Sequence, residues 1–291
     1  MTQIIANILL TFSIYLLISF SFSIIYSPTR FFHIAHAITL TFSAYLIYFF
    51  SKQLMLPLWI SALLAIICAT AIGMLSELAI YRPLRKNHAS PMILMIASLG
   101  LYSVLQNVIS MIWGDNTKSM GYGNIKVGHH FLGAYITDVQ IITIIICLIA
   151  FISFIGIINR SQIGRNIRAV ASNSELSNIF GIRSNNTILW AFGLGSALAA
   201  ITGILIAFDS NMTPTMGFHW LLYGVIAMIL GGVGSNRGLV FGSLLLAIMQ
   251  HLFAYFIGSQ WMDAIAYVIL ILFLIWKPLG FSGKRLKKTE I

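Results

Sequence analysis

The stretch VQIITIIICLIAFISFIGII, residues 139–158, carries no charged side chain. As an α-helix it reaches roughly 30 Å, the thickness of a bilayer's hydrocarbon core. Its apolar residues run on without the one-sided stripe of a water-facing helix. They also lack the alternation of a barrel strand. A helix satisfies its own backbone hydrogen bonds, so it is the element that can cross lipid. Asp138 stands just before the stretch and Asn159-Arg160 just after it.

Eight further stretches of this kind flank it: 4–26, 34–50, 57–80, 91–113, 187–208, 218–235, 239–257 and 261–276. Several are short or interrupted by glycine, so the reading is about 8–9 spans with broken helices. Composition agrees. Of 291 residues, 59% are hydrophobic and 8% charged, with a mean hydropathy of +0.93. A soluble domain carries about a quarter charged residues. The expected fold class is all-α, a polytopic transmembrane helical bundle, with residues 1–291 as a single membrane domain. Met1-Thr2-Gln3 lacks a positive n-region, so the first apolar run reads as a span and not a cleaved signal. Cys68 and Cys147 both sit inside apolar stretches and read as small packing residues.

Lysine and arginine placement sets direction. One side collects Arg30, Arg82, Arg85, Lys86, Arg160, Arg165, Arg168, Arg183, Arg237, Lys277, Lys284, Arg285, Lys287 and Lys288. The other holds only Lys52, Lys118 and Lys126. The N-terminus is therefore expected outside and the C-terminus in the cytoplasm. The net charge of +10 belongs to these flanks, which argues against nucleic acid as a partner.

Two loops stand out. Residues 114–138 lie outside and carry Tyr122 and the His129-His130 pair. Residues 159–186 lie inside. There Asn173 reads as an N-cap, and SELSNIF (174–180) as a short helix ending at Gly181. Leu176, Ile179 and Phe180 would give that helix either a docking surface for a partner or an ordinary interfacial face.

Four motifs follow. Ala191, Gly195, Ala199, Gly203 and Ala207 recur every fourth position, a small-residue face for close helix packing. Leu230 to Gly238, LGGVGSNRG, reads as a break at membrane depth or as a tight turn between spans. In Tyr81-Arg82-Pro83-Leu84-Arg85, Pro83 is expected to end a helix, with Glu77 paired to a neighbouring base. His33 and His36 are three apart and are expected to share a helix face turned inward. No Cys, Asp or Glu stands near them to complete a metal site.

Taken in order along the chain, these stretches resemble the permeases of branched-chain amino-acid ABC importers, the LivH-type subunits. The resemblance rests on FHIAHA (32–37), Ser43-Ala44-Tyr45, YRPLR (81–85), Ser98-Leu99-Gly100, Leu105-Gln106-Asn107 and the loop from Gly164 to Ile182. It continues through LGGVGSNRG, Trp261-Met262-Asp263-Ala264 and Lys277-Pro278-Leu279-Gly280. It implies the ABC importer permease fold and a place in the bacterial inner membrane. It also implies a second related permease subunit, two cytoplasmic ATPases holding ATP and Mg, and an extracytoplasmic solute-binding protein. Contact with the ATPase would fall on Gly164, Arg168, Ala169, Asn173, Glu175 and Gly181. The solute path would involve His33, His36, Gln106, Asn107 and the break at Gly231, Gly232, Gly234 and Ser235. The family's usual Asn-x-Ala-x-Gly is here His33-Ile-Ala35-His36-Ala37, which bears on selectivity. Urea or a short amide is the alternative solute.

The chain itself is not expected to be an enzyme or to hold a cofactor. Gly280 to Arg285, GFSGKR, lacks P-loop spacing and a preceding strand. A stand-alone carrier is the other class weighed. Against it, Asp115, Asp138, Asp209 and Asp263 all fall at the outer ends of spans and leave no intramembrane proton relay.

Overall fold

Residues 2–121, 128–131, 133–277 and 280–282 are described by a computed structural model. Tyr122 and Lys126 lie outside the described residues, as do Pro278, Leu279 and the basic tail bearing Lys284, Arg285, Lys287 and Lys288.

The apolar stretches fold as helices, in the order α1 (Thr2–Thr29), α2 (His36–Tyr48), α3 (Leu58–Ser76), α4 (Arg82–Lys86), α5 (Pro91–Trp113) and α6 (Asp138–Arg160). Then come α7 (Gln162–Ser172), α8 (Ser174–Ile179), α9 (Ser184–Asp209), α10 (Met216–Gly231), α11 (Asn236–Ile257) and α12 (Met262–Trp276). A small antiparallel hairpin, β1 (His129–Phe131) with β2 (Ala134–Ile136), precedes α6. Seven helical segments among the described residues are long and apolar enough to cross a bilayer. The shorter α10, and α2 with its π-helical extension Phe49–Gln53, account for the other two expected stretches. Every predicted span thus falls on a helix.

The chain divides into two compact units. One comprises Met1–Phe20, Tyr122–Ser153 and Leu222–Lys287; the other Ser21–Gly121, Phe154–Leu221 and Lys288–Ile291. In the second unit α9 packs against α2 and α3. The small-residue stripe explains how close it comes. A Cβ on Gly203 would lie 2.2 Å from the Leu40 carbonyl oxygen, and one on Gly195 would meet Ile25 at 2.7 Å. The stripe's alanines, Ala191, Ala199 and Ala207, are all buried. In lipid this backbone proximity supplies the packing that a hydrophobic drive supplies in water. In the first unit α10 and α11 meet as closely: Cβ atoms on Gly231 and Gly238 would each fall within 2.2 Å of the other's carbonyl oxygen.

In the second unit Lys52 Nζ donates to the Gly121 carbonyl at 3.1 Å, and Lys118 bridges Met212 through the backbone. At the opposite end Arg30 donates to the Ala171 carbonyl, and Arg82 to Asn186 Oδ1.

Two local expectations change. Pro83 does not end its helix, which runs from Leu58 to Lys86. The turn before it, Glu77–Tyr81, is π-helical, and the Arg82 amide bonds five residues back to the Glu77 carbonyl. That widened turn accommodates a residue with no N–H to give. His33 does not share a helix with His36. The chain leaves α1 at Arg30, where φ is 56°, and regains a helix only at His36. Within the loop, Gly164 to Ser172 belong to α7.

The close approach at Gly203 predicts that Gly203→Ala destabilises the chain by about 1–3 kcal/mol through overpacking. Gly156→Ala, where a Cβ meets nothing within 4 Å, should be neutral or stabilising. Thermal denaturation of both variants in detergent, followed by size-exclusion chromatography, reads the difference.

Candidate functional site

The segment after α6 is built to be rigid. Ser161 Oγ accepts from the Gly164 amide at 3.1 Å and starts α7. Gly164, Ile167 and Val170, spaced by three, form its buried face, while Arg165 and Arg168 are exposed. Gly164 has no room for a side chain, since a Cβ would lie 2.1 Å from the Ile158 carbonyl oxygen. Arg168 reaches back to α6, donating to the Ile158 carbonyl and, at 3.4 Å, to that of Asn159. These are carbonyls of a last helical turn, which have no partner within the helix.

At Asn173 the backbone becomes extended, with φ −156° and ψ 110°, and Oδ1 accepts from the Leu176 amide at 3.0 Å to begin α8. Asn178 Oδ1 then accepts from the Ser184 amide at 3.1 Å and from its hydroxyl at 2.8 Å. Gly181, at φ 82°, takes the left-handed conformation that lets the chain turn into α9. The frame is tied down on all sides except the tip. There Leu176 is 50% exposed, and Ile179 and Phe180 are each 78% exposed. Glu175 is also exposed, and Ala169 is half-buried.

Of the expected contact residues, Gly164, Arg168, Asn173 and Gly181 shape this frame from within the chain. Glu175 stands on the exposed helix itself. Sequence reading saw the α8 cap and its apolar residues. It missed the amphipathic face of α7, whose three-residue period sits among polar neighbours.

Val170 belongs to a buried cluster with Ile25, Phe31, Tyr81, Leu94, Ile188 and Phe192. His33 packs on this cluster, its ring centroid 5.1 Å from Tyr81 and 5.0 Å from Phe192. Its Nδ1 lies 3.2 Å from Ser98 Oγ, which also accepts from the Ala35 amide at 2.8 Å. His36 Nε2 lies 3.0 Å from Ser21 Oγ, and its Nδ1 is buried without a hydrogen-bond partner. Both histidines are buried, their rings 5.8 Å apart. Gln106 is half-buried on α5, and Asn107 is exposed there, donating to the Ser103 carbonyl at 2.7 Å. Among the described residues no group of His, Cys, Asp or Glu could hold a metal ion.

The remaining path candidates lie in the other unit. Gly232 and Gly234 have φ of 95° and 80°, and Ser235 Oγ accepts from the Gly238 amide at 3.1 Å. The segment is a capped turn joining α10 to α11. The Phe281 and Ser282 amides donate to the Leu230 and Gly231 carbonyls at 2.9 and 3.1 Å.

Long apolar helices, backbone-close crossings and a braced loop helix with an apolar tip define a multi-pass helical membrane protein. The chain belongs to the family described as branched-chain amino acid transport system / permease component, which matches residues 4–274. It is 30% identical to the high-affinity branched-chain amino acid transport system permease protein BraD of Pseudomonas aeruginosa, over 97% of this chain and 95% of that one. It is 29% identical to the corresponding LivH of Escherichia coli K12 and 28% to that of Salmonella typhimurium, each over 94% of this chain and 92% of the relative. No solved structure matches it significantly.

Glu77, with no exposed side-chain surface, forms a two-point ion pair with Arg85, one contact being Nη1 to Oε2 at 2.9 Å. Glu77→Ala leaves the guanidinium half-buried and unpaired, and should destabilise the chain by about 3 kcal/mol. Replacing both partners, as Glu77→Leu with Arg85→Met, should restore most of that loss. A double-mutant cycle on thermal stability checks it.

Proposed function

We propose that this chain is the membrane-spanning subunit of an ATP-driven importer of branched-chain amino acids in a bacterial inner membrane. Residues 1–291 act as one permease domain. It pairs with a second permease subunit and works with two cytoplasmic ATPases, which bind ATP and Mg, and an extracytoplasmic binding protein. The lysine and arginine bias supports an N-terminus outside and a C-terminus within. Family membership and the printed names of BraD and LivH support the solute class.

The observation that carries the mechanism is α8. An apolar tip in water favours a covering partner, and every other part of the loop is fixed to the chain. Closure of the ATPases would push this tip as a lever. Val170 shares a packed cluster with the residues around His33, so the push arrives where the first path candidates lie. The orphan Nδ1 of His36 supports a polar task for that region, because buried polar atoms normally find partners. The departure from the family pattern at His33 and Ala37 bears on selectivity, and a short amide such as urea is the alternative solute.

The reconstituted complex should take up labelled leucine with ATP, and excess unlabelled urea should not compete. Uptake of urea alone would overturn the solute assignment. Ile179→Asp with Phe180→Asp should lower leucine uptake by about tenfold or more, as loss of apolar anchors does at interfaces. The ATPases should then no longer co-purify with the chain. Full uptake by that variant would overturn the lever.

A further inference from the structure

At the basic end of the second unit lies a cleft of about 580 Å³. Arg82, Arg85 and Lys86 of α4 form one wall, and Arg183, Asn185 and Asn186 at the start of α9 another. Among the described residues no carboxylate lines it. Arg85 is neutralised by Glu77. Among the described residues no carboxylate forms a salt bridge with Arg82, Lys86 or Arg183; Glu77 acts on Arg82 only at longer range, and Lys86 and Arg183 carry the cleft's excess positive charge. Arg82 is held in place by its bond to Asn186, while its Nε is buried without a partner. The N-terminus of the 26-residue α9 opens here too, with no side-chain cap from Arg183. Although Asn178 Oδ1 takes the Ser184 amide and the Arg183 carbonyl takes that of Asn186, the dipole of this long helix adds positive potential to that of the cations. The cleft therefore fits an anion with several acceptor oxygens.

Its depth says which anion. The cleft sits at the last turn of an apolar membrane helix, the level of phospholipid headgroups. One turn deeper than Arg82 is Leu78, 39% exposed, and one turn deeper than Asn186 is Trp190, 51% exposed. Arg82 and Asn186 are bonded to each other, so the apolar strip follows directly below the cations. Indole rings favour this interfacial level. A free phosphate would use the cations and leave the strip bare, whereas a phospholipid uses both.

We propose that this cleft binds the phosphate headgroup of an anionic phospholipid, with acyl chains lying along Leu78 and Trp190. Ser174 and Asn178 of α8 also line the cleft, and the lipid proposal requires only that the chain sits in a membrane.

Native mass spectrometry of the purified full-length chain tests it, with phosphatidylglycerol or phosphatidylcholine added in detergent. The wild type should retain phosphatidylglycerol preferentially. Lys86→Gln with Arg183→Gln should retain about tenfold less of it, since two headgroup cations are lost. Arg160→Gln, an exposed charge that does not line the cleft, should behave as wild type. Equal retention by the double variant, or equal retention of both lipids, would overturn the proposal. Displacement of phosphatidylglycerol by millimolar inorganic phosphate would assign the cleft to a soluble anion and overturn the lipid. Should the double variant fail to fold, Arg183→Gln alone carries the test, because that side chain braces nothing in the fold.

Discussion

The hydrocarbon core of a bilayer offers no hydrogen bonds, and several helix ends among the described residues find partners within the chain. The last four carbonyls of α6 show how completely this is met. Ile157 takes the Ser161 amide, Ile158 and Asn159 take Arg168, and Arg160 takes the Arg165 side chain. Elsewhere Arg30 serves the end of α7, and the amides of Phe281 and Ser282 serve the end of α10. Each solution draws a loop or a distant segment tightly against a helix terminus. The rigidity of the loop after α6 follows from these bonds.

Spans were legible in the sequence because lipid imposes a length and a polarity that few other environments impose. The nine stretches needed no knowledge of packing, and α9's four-residue stripe announced its close neighbours in advance. Asn173 and Gly181 announced α8, because cap chemistry is local. What stayed hidden was set by register. Nothing in the composition of Glu77 to Tyr81 signals a widened turn, so Pro83 read as a terminator. Nothing near Arg30 reveals that a non-glycine residue adopts positive φ there and delays α2 until His36. The site divides similarly. Apolar residues on α8 could be named from the sequence. The inward roles of Gly164 and Arg168 depend on where the end of α6 lies in space.

The loop joins two different kinds of surface. Its α7 face is packed against the chain, and its α8 face is bare. That division lets one short segment be fixed to its own bundle while remaining open to another molecule. A softer attachment would absorb a partner's movement within the loop. Here Gly164, with no space for even a methyl group, removes the slack at the point where α7 meets α6.

The π-helical turn at Glu77–Tyr81 has a consequence for comparing such chains. A turn of this kind holds roughly one residue more than an α-turn, so whatever follows is rotated by about 100° relative to an unbroken helix. Arg82, Arg85 and Lys86 therefore keep a different angular phase from Ala65, Ala69 and Gly73, although one helix carries them all. A relative lacking one residue there, with an unbroken α-helix, would present its cations in the same direction, whereas one of equal length without the wide turn would not. In this chain, helical periodicity has to be counted afresh from Arg82.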